Sequence, residues 1–98
     1  MPTKHDETAR RIAEKKGVSY NQGQGPDIQT PRQTIEVETI GTIADAGRQL
    51  QGHRGSVYVA GADAKATEAA LEHYDGTTIG VMDASGQILK RSTRKKPS

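Results

Sequence analysis

The feature that most restricts the fold of this chain is a run near its middle, Ser-Val-Tyr-Val-Ala at residues 56–60. A stretch this continuously apolar reads as a strand buried on both faces of its sheet. The expected class is therefore α/β: a single small mixed β-sheet flanked by helices.

The remaining elements follow from punctuation and period. Thr3 or Asp6 can cap a first helix reaching Lys16, with Ala9, Ile12 and Ala13 on its buried stripe and Gly17 as its stop. Residues 18–20 form a short strand candidate, and Asn-Gln-Gly-Gln-Gly-Pro-Asp is loop by composition. A second strand over residues 28–30 turns at Pro31-Arg32-Gln33 into a third over 34–39. Gly41-Thr42 opens a helix with Ile43, Ala46 and Leu50 at helical spacing, ending at Gly52. Beyond residues 56–60, Gly61-Ala62-Asp63 starts a helix with Ala66, Ala69, Ala70 and Leu71 inward. Strands over 77–82 and 87–89 flank a turn at 83–86. The hairpin implies antiparallel pairing, and the helix before residues 56–60 implies a parallel, right-handed crossover. Ile35, Val37, Leu50, Val57, Val59, Leu71, Ile79 and Val81 are expected to be buried together.

At 98 residues the chain is one domain, placed at 6–90, with a flexible lead at 1–5 and a basic disordered tail at 91–98. Lacking cysteine, it has neither disulfides nor thiolate metal sites. No apolar stretch approaches the ~18 residues that would span a bilayer, and the N-terminus lacks an apolar signal core. The expectation is a cytoplasmic protein without a membrane partner. A net charge of +2 does not announce nucleic-acid binding, but Lys90, Arg91, Arg94, Lys95 and Lys96 gather in the tail.

Carboxylates hold the chemical interest. Asp27 follows Gly25-Pro26, and residues 34–39 alternate so that Ile35 and Val37 point one way and Glu36 and Glu38 the other. If the two segments pair, three carboxylates share a face. The plain reading is a solvated sheet face and a turn aspartate. Against it, two carboxylates about 6 Å apart repel by roughly 3 kcal/mol at an effective dielectric of ~20. A fold keeps three together if water solvates them, basic groups offset them, or a cation joins them. Mg²⁺ takes such oxygen ligands together with water and phosphate, and a metal of this kind can polarise a phosphodiester.

Pro26-Asp27 followed by Glu36-Val37-Glu38 resembles the PD-(D/E)XK, or restriction-endonuclease-like, nuclease superfamily. Its core of helix, three-strand meander, helix and strand is similar to the order expected over residues 6–60; the later helix and strands would be an elaboration. The resemblance implies Mg²⁺ or Mn²⁺ held by Asp27, Glu36 and the carbonyl of Val37, with Glu7 of the first helix as an outer ligand. It gives Glu38 the part of orienting or activating water. The chain departs from the family pattern at Glu38, where a lysine is usual. Some members carry Glu there, and in others a nearby helix supplies a basic or amide group; here Arg48 and Gln49 are the candidates.

Other signals are weaker. His5, His53 and His73 show no ligand spacing and read as surface residues. The Gly-Gln-Gly loop lacks a phosphate-cradle pattern, and three unclustered tyrosines make no stacking platform. Arg10, Arg11, Lys15 and Lys16 form the wet face of the first helix, available to phosphates alongside Arg91, Arg94, Lys95 and Lys96. The expected function is DNA binding, RNA not excluded, with Mg²⁺-dependent phosphodiester hydrolysis by Asp27, Glu36 and Glu38. The alternative is an inactive α/β binding module that docks on a larger protein. A homodimer is compatible with either.

Overall fold

A computed structural model describes residues 3–20, 27–50, 53 and 55–93. The Thr3 side chain accepts from the Asp6 amide and starts helix α1 (Lys4–Lys16). Gly17 ends it in the left-handed region at φ 70°, its N–H reaching the Ala13 and Glu14 carbonyls. Residues 3–5, expected to be a flexible lead, are thus the cap and first turn of a helix.

Strands β1 (Ile28–Gln29) and β2 (Gln33–Glu38) form an antiparallel pair, with Ile28 opposite Ile35 and Gln29 opposite Thr34. Thr30 closes the turn: its N–H donates to the Gln33 carbonyl at 2.8 Å, and its hydroxyl accepts from the amides of Arg32 and Gln33. A 3-10 turn (Ile40–Thr42) leads into α2 (Ile43–Gln49), then β3 (Ser56–Gly61), parallel to β2. Asp63 caps α3 (Ala64–His73), which returns the chain to β4 (Gly80–Met82), parallel to β3. Strand β5 (Ile88–Lys90) closes the sheet antiparallel to β4. The five-stranded sheet runs β1-β2-β3-β4-β5.

Residues 18–20 form no strand; Val18 and Tyr20 instead pack, half-buried, against the α1 side of the core. The expected three-strand meander is therefore a two-strand hairpin.

Strands β2, β3 and β4 advance in one direction across the sheet, so right-handed crossovers place both linking helices on the same face. Accordingly α2 and α3 cover Val57, Val59, Ile79 and Val81 on one side. Helix α1 covers Ile28, Ile35, Val37, Tyr58, Ala60 and Met82 on the other. The residues expected to be buried together are split between these two cores, because adjacent residues of a strand point to opposite faces. Leu71 is only half-buried, at the rim of the second core.

Two tight features tie the layers together. Tyr74, just past α3, donates its hydroxyl to the Ile43 carbonyl and accepts from the Gly47 N–H at 2.8 Å. Gly80 lies so close to the Tyr58 ring and the Ser92 backbone that an added Cβ would come within 2.4 and 2.6 Å of them. The Ser92 hydroxyl accepts from the Val57 amide, and the Thr93 amide donates to the Thr78 carbonyl. The chain through residue 93 therefore packs on the sheet, where the sequence reading began a disordered tail at 91. Arg91 is exposed, while Arg94, Lys95 and Lys96 lie outside the described residues. No helix among the described residues is long and apolar enough to cross a membrane.

Candidate functional site

The pairing register decides which side chains meet. With Ile28 opposite Ile35, the next step toward the β1 start puts Asp27 level with Glu36. Strand alternation sends Thr34, Glu36 and Glu38 to the face of β2 that α2 covers. Glu36 and Glu38 are each only 5% exposed, so they are no solvated sheet face. A buried carboxyl needs partners, and among the described residues no buried side-chain polar atom lacks one.

The groups that surround them come from five segments. Asp27 Oδ2 accepts from the Val37 amide at 2.8 Å and from His5 Nε2 at 3.0 Å. The Asp27 carboxyl lies against Glu36, and the Thr42 hydroxyl against Glu38. Gln49, on the last turn of α2, crosses above both glutamates. With its amide nitrogen turned toward them, that nitrogen donates to Glu36 Oε2 at 2.9 Å and Glu38 Oε1 at 3.3 Å.

The titration of the group reflects this crowding. Burial, then the charge and hydrogen bond of Asp27 and the charge of Glu38, push the Glu36 carboxyl up to about 8. Burial also raises Glu38, offset in part by the Thr42 hydroxyl and the charge of His5. For His5, burial favours the neutral ring, but the charge and hydrogen bond of Asp27, assisted by Asp6, outweigh it and raise the imidazole. At neutral pH Glu36 therefore keeps its proton beside Asp27.

The sequence-derived site residues separate into two groups. Asp27, Glu36 and Glu38 come together with the Val37 backbone, and Gln49 joins them. Glu7 does not: two residues past His5 it faces outward, bordering with Arg10, Arg11 and Glu14 an exposed hollow of about 280 Å³. Lys15 is exposed, and Arg48 pairs with Asp45 at 3.0 Å on the surface. No described contact links these cations to the carboxylates.

His5 is the residue that sequence reasoning missed. It read as a surface histidine because its partner lies 22 positions away; the only local cue is its place in the first turn of an amphipathic helix. His53 is half-buried ahead of β3, and His73 is exposed, edge-on to Tyr74. Among the described residues no set of three or more His, Cys, Asp or Glu side chains is spaced to enclose a metal ion as it stands. A cation would need Asp27 and Glu36 completed by backbone oxygen and water, a donor set that suits a hard divalent ion. Compared with known proteins, the chain matches no family model, no curated protein and no solved structure.

Proposed function

We propose that the chain is a nucleic-acid-binding protein of PD-(D/E)XK type that hydrolyses phosphodiesters with Mg²⁺ or Mn²⁺. One observation carries the reading: two nearly buried glutamates lie against an aspartate, under a glutamine, with no lysine or arginine among the described residues placed to offset them. Such a cluster costs stability in the absence of a cation and suits the binding of one.

Asp27 and Glu36 would hold the ion beside the Val37 carbonyl, where it would supply Lewis acidity toward a phosphate oxygen. Gln49 takes the place of the family lysine. Its amide, poised above Glu36 and Glu38, orients an attacking water, and Glu38 accepts the proton that the water loses. Glu36 must release its own proton for a cation to bind, so affinity rises with pH through about 8.

The test is cleavage of duplex, junction, flap and single-stranded DNA, and of RNA, in Mg²⁺, Mn²⁺ and Ca²⁺. Activity is expected in the first two ions and lost in Ca²⁺, whose looser coordination fits poorly. Asp27→Asn and Glu36→Gln should each abolish it. Increased cleavage by Glu38→Lys would mark a decayed site, and decreased cleavage a catalytic part for Glu38. If no variant cuts any substrate, the nuclease reading falls, and the binding module, which the glutamate in place of lysine favours, replaces it.

A further inference from the structure

We propose that His5 is a positioning residue for Asp27, fixing its carboxylate so that one oxygen is anchored and the other is left to receive a ligand. Both donors, His5 Nε2 at 3.0 Å and the Val37 amide at 2.8 Å, converge on Oδ2. An oxygen that accepts two hydrogen bonds has used both its lone pairs. Any cation, or any proton shared with Glu36, must then be met by Oδ1. Carboxylates that ligate metals are commonly oriented by such outer partners, whose loss costs about 10- to 100-fold in affinity.

The location of His5 supports a dedicated part. It lies in the first turn of α1, just after the Thr3 cap, where the helix end carries partial positive charge. A ring able to bear positive charge is a poor choice there on helix grounds alone. What favours it is its neighbours, with Asp6 Oδ1 at 3.4 Å from Nδ1 and Asp27 at Nε2. The ring is about one-third exposed, and both its nitrogens face carboxylates, so its polar contacts account for its place. The capped α1 thereby carries the aim of Asp27 from the opposite side of the sheet to α2.

The metal part of the proposal rests on the cation reading above, but the positioning does not, and the experiment separates them. In the metal-free full chain, amide exchange of Val37 reports whether Oδ2 remains anchored. His5→Ala should speed that exchange roughly tenfold. His5→Gln, whose amide nitrogen can stand where Nε2 stood, should restore it, and Asp6→Asn should leave it unchanged. In the same samples, Mn²⁺ affinity should fall at least about tenfold in His5→Ala and recover in His5→Gln. Unchanged Val37 exchange in a folded His5→Ala protein would overturn the proposal, as would a failure of His5→Gln to rescue. Should the wild-type chain not take up Mn²⁺ at Asp27, the cation reading fails while the exchange result still decides the part of His5.

Discussion

The two faces of strand β2 are equally hidden from water and differently built. Toward α1, Ile35 and Val37 meet Ala9, Ile12, Ala13 and Ile28 in an apolar layer. Toward α2, Thr34, Glu36 and Glu38 are just as buried, yet bring polar groups that must be bonded to one another. The first face is what folding requires. The second is tolerated by folding and answers to something else, since apolar residues of similar size would fill it at lower cost. Burial alone therefore does not distinguish core from site; the chemistry of what is buried does.

Breaking the dry face should have the largest effect. Ile35→Asp places an unpaired charge beneath α1 at a cost of several kcal/mol, comparable to the whole stability of a small domain. Loss of dispersed amide resonances would show it, and Val59→Asp should do the same on the apolar part of the other face. Ile12→Ala comes next, expected to cost about 2–5 kcal/mol by cavity formation, read from a urea midpoint.

The polar face should respond with the opposite sign. Glu36 keeps its proton to about 8 in the folded chain, against an ordinary value of 4.5. Between those values the folded state holds a proton that the unfolded state has released, so metal-free stability falls as pH rises across that window. The raised His5 adds a contribution of the same sign, lost as pH rises through its folded value. Urea midpoints at pH 5 and pH 9 should therefore favour pH 5 in the wild type. Glu36→Gln should narrow that gap and stabilise the protein at the higher pH. A wild-type midpoint unchanged between the two would remove the distinction between the faces. Deleting residues 94–98 should have the smallest effect on stability; under the proposed function it should also weaken duplex binding and flatten its salt dependence in proportion to the phosphates those cations neutralise.

Much of this arrangement could be read from the residues. Gly17 as a helix stop, the doubly buried strand at 56–60 and the alternation of residues 34–39 rest on local rules of backbone and period. The pairing of Asp27 with Glu36 was also within reach, because Pro31-Arg32-Gln33 marked the turn between them. Local rules could not show that α2 would roof the glutamates, since a glutamate under a helix and one in water leave the same strand pattern. Nor could they link His5 to Asp27, a contact created by packing α1 on the sheet. The expected strand at 18–20 failed for a related reason: apolar residues near a helix end can pad its core contact without joining a ladder. The anticipated single core ignored the sheet running through it.

Tyr74 has a consequence for the reach of Gln49. The phenol touches both the Ile43 carbonyl and the Gly47 amide, the two ends of one rung of α2. A side chain hydrogen-bonded at such a rung pins the helix to the layer that supplies it. Gln49 lies half a turn further on. Its placement above the carboxylates is thus tied to one hydroxyl delivered from just past α3. A substitution at Tyr74, remote in sequence from every acid in the cluster, would reach the site by releasing that tie.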